Sequence, residues 1–313
     1  TGTTPRPEAT PGLLGDAWRR SIHEFYTLEG ATALASALDR FDGGRFVVHV
    51  AEMPIKCPVA PLELAFLADA RFRERGIRDR VELVYVTPLD AAFTTPLAAE
   101  RLAGLLDRRG IAVETDFVVE RVDDGAETLV SYDGREIPFD LLVTVPVNMG
   151  ADALGRCGLG DELNHVPVDP ATLRSRRWPN VFAIGDAAAL PTAKAGSAAH
   201  YQVETFVRNF LEHAAGRPMT HACDGHVNCF VETGDGKAVL LDYDYDTPPG
   251  PGHWPLPGVG PFALLEETQV NHAGKMMFKW TYWHVLMRGH ELPVPTGSAR
   301  AATRPEPSRE APR

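Results

Sequence analysis

The chain has 313 residues, 44% of them apolar and 23% charged, with a formal net charge of −11. That length carries two packed domains or one large one, and the acidic balance without a long basic run argues against nucleic acid as a partner. The four cysteines, Cys57, Cys157, Cys223 and Cys229, are too few for a disulfide scaffold; no two form a CxxC, so no metal is expected.

"TGTTPRPEATPGLLG" (1–15) reads as loop. "TLEGATALASALDRF" (27–41) fits a helix with Thr27 as N-cap, although Gly30 at the third position weakens the capping box. A buried strand over 45–51 runs into "MPIKCPVAP" (53–61), and a helix follows over 62–75. A strand over 80–88 and a glycine-closed helix over 96–110 come next. "IAVETDFVVERVDD" and "TLVSYDGREIPFD" read as strands, with a hairpin signal at Asp133-Gly134, and "LLVTVPV" (141–147) is a buried run. Strands alternating with helices predict an α/β fold with a parallel sheet.

The second half changes character. A strand over 181–190 delivers Gly185-Asp186, and "AGSAAHYQVETFVRNFLEHAAG" (195–216) is a long helix. Residues 224–246 predict a β-hairpin turning at Gly234-Asp235-Gly236, and 248–262 an extended Pro/Gly loop. Residues 273–289 form an aromatic, basic helix. From Pro293 the composition predicts disorder. No stretch of 18 apolar residues occurs.

Two stretches carry chemistry. Gly185-Asp186 stands at a strand's carboxyl end, where open α/β sheets bind ligands. An aspartate there accepts hydrogen bonds from a polyol such as a flavin's ribityl chain. The unpaired amides of a helix starting near Ala195, together with Lys194, favour negative charge. A capping Asp in a plain strand–turn–helix is the competing reading. The other stretch is the loop around Cys57, which has no glycine where a dinucleotide cradle would need it. Its prolines delete backbone N–H donors, which argues against NAD(P)H.

"VFAIGD" with "PTAKAGSAAH", "MPIKCPVAPLELAFLAD", "GIRDRVELVYVTP" and "GHVNCFVETGDGKAVLL" together resemble the sulfide:quinone oxidoreductases and the flavoprotein subunit of flavocytochrome c sulfide dehydrogenase. The resemblance spans about residues 1–290. It implies a Rossmann-like two-dinucleotide-binding flavoprotein fold with a C-terminal β-hairpin and a membrane-facing amphipathic helix. The N-terminal FAD-binding βαβ unit of such proteins has no counterpart in this chain. The implied division is 1–27 as remnant of the FAD domain, 28–147 as a second Rossmann-like domain, and 148–222 as the return to the FAD domain. Residues 223–292 would be the hairpin and quinone-facing segment, and 293–313 a tail.

FAD is the implied cofactor, held at Gly185, Asp186, Lys194 and Ala195 with Pro54 nearby. The resemblance places Cys57 and Cys229 beside the flavin as the redox pair. Sulfide attacks one sulfur of the oxidised pair by thiol–disulfide exchange, leaving a persulfide and a thiolate; which cysteine is attacked stays open. Lys56 is expected to favour the Cys57 thiolate if it points inward. Glu63 is a candidate proton shuttle, with a dipole-stabilising carboxylate as the equal alternative. His200 faces the flavin or the quinone or, on the plainer reading, the core. Cys157 and Cys223 read as small buried hydrophobes. Ile22 stands near the place of a third cysteine found in many relatives.

Trp280, Tyr282 and Trp283, with Lys275 and Lys279 on one side, suit a helix lying in a membrane surface to meet a quinone, with a core or dimer-interface helix as the alternative. By resemblance alone, 254–268 lines the quinone entry. The implied partners are sulfide, a membrane quinone and the membrane surface, as a peripheral protein of a bacterial cytoplasmic membrane; a homo-oligomer is left open. The rival readings are the flavocytochrome c-type subunit, a type II NADH dehydrogenase relative and an inactive fragment.

Overall fold

The computed structural model describes residues 1–290, so the tail expected to be disordered lies outside the described residues. After β1 (Thr3–Arg6) and the two-residue β2 (Ile22–His23), helix α1 (Leu28–Arg40) begins at its expected N-cap. Thr27 Oγ1 accepts the Gly30 amide at 3.0 Å. The cap is completed from the other side by the buried Glu24, whose carboxylate accepts the Thr27 hydroxyl at 2.5 Å and the Tyr26 amide at 2.6 Å. A Cβ at position 30 would stand 1.8 Å from Glu24 Oε1. The glycine that looks like a flaw in the capping box is therefore what lets this carboxylate in.

Strand β3 (Gly44–Val50), helix α2 (Ala60–Glu74), β4 (Val81–Val86), α3 (Pro96–Arg108) and β5 (Ile111–Glu114) alternate as the pattern predicts. An antiparallel meander of β6 (Val119–Asp123), β7 (Thr128–Ser131) and β8 (Glu136–Pro138) precedes β9 (Leu141–Val145). The order β2-β9-β3-β4-β5 makes one parallel sheet. Phe46, Val48 and Val50 pack with Phe66, Phe72 and Leu102 of the covering helices. Val47, Leu142 and Val84 pack on the other face with Phe117, Leu129 and Ile137 of the meander side. Both faces being covered, the central strands read as continuous apolar runs. Each such side chain contributes about 1.5–3 kcal/mol on full burial.

The strand expected over 111–124 is two strands in two sheets. The chain breaks at Asp116, where φ is +53°, and Phe117 turns into the second core. The Asp133-Gly134 turn joins β7 to β8, as expected.

Strand β10 (Val147–Gly150) pairs antiparallel with β1; α4 (Asp152–Arg156) follows, and β11 (Val166–Pro167) pairs with β12 (Ala188–Ala189). The regular strand expected over 181–190 is absent. Phe182 makes a single bridge to Arg174, and Gly185–Ala187 is a 3₁₀ turn. A strand needs a neighbouring backbone along its length, and among the described residues only short pieces lie beside it.

Helix α5 (Gly196–Ala214) leads to the hairpin of β13 (Val227–Gly234) and β14 (Lys237–Tyr243), whose turn residues Gly234, Asp235 and Gly236 all have positive φ. The Pro/Gly-rich stretch holds β15 (Gly252–Trp254) and β16 (Phe262–Leu264), which with β17 (Glu267–Thr268) extend the hairpin's sheet. Helix α6 (Gln269–His284) starts four residues before the expected position 273, because Thr268 Oγ1 caps it by accepting the Asn271 amide at 3.0 Å.

Candidate active site

The loop between β3 and α2 leaves the carboxyl end of the parallel sheet, the side on which such sheets bind ligands. It docks onto the segment just before α5. The Cys57 amide donates to the Lys194 carbonyl at 2.6 Å, and Tyr26 Oη donates to the Lys56 carbonyl at 2.8 Å. Cys57 has φ +50°, a left-handed conformation that costs a non-glycine residue about 1 kcal/mol or more. These hydrogen bonds, with the Ala60 amide donating to the Cys57 carbonyl at 2.9 Å, hold it there.

A cavity of about 560 Å³ opens at this junction, lined by Phe25, Tyr26, Lys56, Cys57, Ala60, Asp186, Lys194, Ala195, Gly196 and Ala199. Gly185, at φ +62°, donates its amide to the buried Gln202 Oε1 at 2.7 Å, which fixes the turn before Asp186. Lys194 is buried, and its ammonium donates to the carbonyls of Asp186 and Ala188 at 2.8 and 3.1 Å. Burial lowers the Lys194 pKa, while Asp186 and Asp161 oppose that shift. The first turn of α5 has no side-chain cap, so its amides keep their partial positive charge. A Cβ on Gly196 would meet nothing within 4 Å, so the backbone there is open to close approach from the cavity.

Cys229 comes from β13, opposite Leu241 in the hairpin. It packs with Ala195, Ala198 and Tyr243, and both Cys57 and Cys229 pack against the large helix-side core. Both are free thiols. Burial, then the charge of Cys57, pushes the Cys229 thiol up to about 12, against a hydrogen bond from Ser197. The Cys57 thiol is also raised, by burial first and by Glu63 next, while the Ala60 amide and Lys275 pull it down. Glu63 lies in the first turn of α2 and pairs with Lys275 Nζ of α6 at 2.5 Å. Its pKa is raised by burial, with Lys275 opposing.

Cys57, Asp186, Lys194 and Ala195 line the cavity, Gly185 precedes Asp186 in the turn, and Cys229 and Glu63 do not line it but act electrostatically on or with Cys57. Pro54 is exposed and does not line the cavity. Lys56 does not turn toward the thiol. Its ammonium lies 5.5 Å from the Tyr26 ring centroid and 3.4 Å from the Thr3 carbonyl, and the cation acting on Cys57 is Lys275. His200 is exposed, outside both the cavity lining and the core. Cys157 is exposed rather than buried, whereas Cys223 is buried. Ile22 is fully buried in β2. Sequence reading passed over Tyr26, Gln202 and Ser197, whose roles depend on contacts between distant segments. Lys275 is visible in the sequence only as one of two lysines, with Lys279, on one side of this helix.

On α6, Trp280 is 60% and Trp283 58% exposed, and Met276, Met277, Phe278 and Tyr282 are also exposed. Lys279 is exposed while Lys275 points inward, so the two lysines do not share one environment. No helix of the described residues is long and apolar enough to cross a membrane.

The parallel sheet, covered on both faces, is a Rossmann-like fold that resembles that of FAD-dependent oxidoreductases. The structure superposes on the sulfide:quinone oxidoreductase of Aquifex aeolicus with a TM-score of 0.73 at 16% identity, covering 90% of this chain and 67% of that one. A NAD-dependent persulfide reductase from A. fulgidus gives 0.52 at 17% identity, covering 81% of this chain and 47% of that one. In sequence, the chain is 27% identical over 278 residues to the mitochondrial sulfide:quinone oxidoreductase of Mus musculus, covering 85% of this chain and 59% of that protein. The mitochondrial enzyme of the same name from Schizosaccharomyces pombe is 26% identical over 275 residues, covering 84% and 59%. These curated homologues are sulfide:quinone oxidoreductases, the family the motifs resemble. The chain spans about three-fifths of their length. No protein-family model matches it.

Proposed function

We propose that the chain carries the sulfide-oxidising site of a flavin-dependent sulfide:quinone oxidoreductase. The observation that supports this reading is that Cys57, which lines the cavity at the start of α5, comes close enough to Cys229, from a distant segment, to raise its thiol. Gly185, Asp186, Lys194 and the first turn of α5 would hold the ring end of FAD. The backbone opening at Gly196, the uncapped amides and the aromatic wall of Phe25 and Tyr26 fit a flat, electron-rich group. FAD supplies an acceptor for two electrons that are passed on to a quinone.

The chain's own residues do the sulfur chemistry. With the pair oxidised, a hydrosulfide ion forms a bond to one sulfur while the Cys57–Cys229 bond breaks. One cysteine then carries a persulfide and the other a thiolate, with no net change in electrons until the thiolate is reoxidised. Glu63, paired with Lys275, would take a proton from the entering sulfide. The exposed aromatic side of α6 supports a peripheral membrane position, where a quinone is reached.

The test is an anaerobic sulfide titration of the FAD-loaded protein, followed by decylubiquinone. Sulfide is expected to bleach the flavin and the quinone to restore it. Cys57→Ser and Cys229→Ser are each expected to abolish bleaching while FAD stays bound. Near-normal bleaching in both variants would refute the cysteine assignment.

A further inference from the structure

Helix α6 is amphipathic in the reverse of the usual sense. Asn271 and Gly274 are buried and His272 and Lys275 half-buried, whereas Met277, Phe278, Trp280 and Trp283 face out. Its inward polar groups grip acids on two other elements. His272 Nδ1 is 2.9 Å from Glu232 Oε2 on β13, and Lys275 Nζ is 2.5 Å from Glu63 Oε1 on α2. Glu63 follows directly on the cysteine loop. The ammonium of Lys275 is thereby brought, from the far end of the chain, to the carboxylate whose charge acts most strongly on Cys57.

Apart from the Ala60 amide, which also favours the Cys57 thiolate, the other groups around Cys57 do not do this work. Glu63 from α2, Asp186 before α5, and Glu232 and Cys229 from β13 are acidic or neutral. Tyr26 and Tyr243 are half-buried phenols held neutral. Lys56 is turned to the Tyr26 ring and Lys194 to the carbonyls of Asp186 and Ala188. His272 is committed to Glu232.

The geometry points to Lys275 as the positioning cation of the thiol site: by pairing with Glu63 in the first turn of α2 it offsets that carboxylate's negative charge beside Cys57, so the helix with the exposed aromatic face also sets the reactivity of the cysteine pair. This rests on reading Cys57 as the redox thiol, yet it is testable without flavin, sulfide or quinone.

The experiment is the pH dependence of iodoacetamide alkylation at Cys57, followed by peptide mass spectrometry so that the four cysteines are read separately. Lys275→Met is expected to move the Cys57 midpoint upward and slow alkylation at about pH 8 by roughly three- to tenfold. Lys275→Arg should restore most of the rate, and Glu63→Gln should move the midpoint downward. Lys237→Met, on the hairpin away from the thiols, should change nothing. A merely structural role gives the opposite sign for Lys275→Met: loosening α6 would relieve burial, the largest cause of the raised thiol, and speed alkylation. A faster or unchanged rate in Lys275→Met, or an Arg variant that behaves like Met, overturns the proposal. Failure of sulfide to bleach the flavin, with the alkylation shifts intact, would instead count against the proposed function alone.

Discussion

Asp69 offers a quantitative test of how the site is held together. It lies on α2, 1% exposed, and its carboxylate meets Arg78 Nε at 2.6 Å, Arg73 Nε at 3.0 Å and Arg109 Nη1 at 3.6 Å. The arginines carry the tie outward. Arg73 reaches Asp235 at the hairpin turn at 3.0 Å, Arg109 reaches Glu267 at 2.6 Å, and Arg78 donates to the Arg109 carbonyl at 2.8 Å. One carboxylate thus joins the helix of the cysteine loop to α3 and to the hairpin that bears Cys229. Asp69→Asn keeps the shape but removes the charge. A hydrogen bond to a charged group contributes about 1.5–3 kcal/mol, and breaking one side of a buried pair costs about 3–5 kcal/mol. Arg73 is 41% exposed and can return to water, so the lower end applies, about 3 kcal/mol. With a urea slope of about 3 kcal/mol per molar, the unfolding midpoint should fall by about 1 M at unchanged slope. Circular dichroism across a urea series reads this directly. A shift below about 0.2 M would refute the hub role and reduce the cluster to a solvated surface network.

Burial in the sheet holds His49 down to about 3 from its ordinary 6.5. The unfolded chain therefore binds a proton that the folded chain refuses. The stability is complete above pH 6.5 and is lost as pH falls from there toward 3. The slope is about 1.4 kcal/mol per pH unit, so about 2 kcal/mol should go between pH 6.5 and 5, and His49→Gln should remove that part of the acid limb. An acid limb unchanged in His49→Gln would show that the ring protonates without unfolding. On α6, replacing Trp280 and Trp283 together by serine should cut cosedimentation with anionic phosphatidylglycerol vesicles by roughly tenfold. Binding as strong as the unsubstituted chain's would mean that this aromatic face meets something other than a lipid surface.

Local pattern was enough for α1, α2, α3, α5 and the hairpin of β13 and β14, since an N-cap Thr, a closing glycine or a Gly-Asp-Gly turn acts through neighbours in the chain. It was not enough at 111–124, where one apolar-alternating run serves two sheets, because which strand a segment pairs with is decided by distant backbone. The same holds at 181–190: Val181 to Ala189 has strand composition but few partners beside it.

For the candidate site, the sequence singles out Cys57 in a glycine-free loop, Cys229 on a predicted strand and Gly185-Asp186 before a helix, and it is the resemblance that proposes their chemistry. Their electrostatic setting was not. Lys56 looked like the thiol's cation by adjacency, but the backbone turns it toward Tyr26. Lys275 looked like part of an exposed basic helix, but it closes on Glu63. Covalent neighbours decide conformation over a few residues; the field at a buried sulfur is decided by whichever charges the packing brings within a few ångströms, and only the tertiary structure determines that.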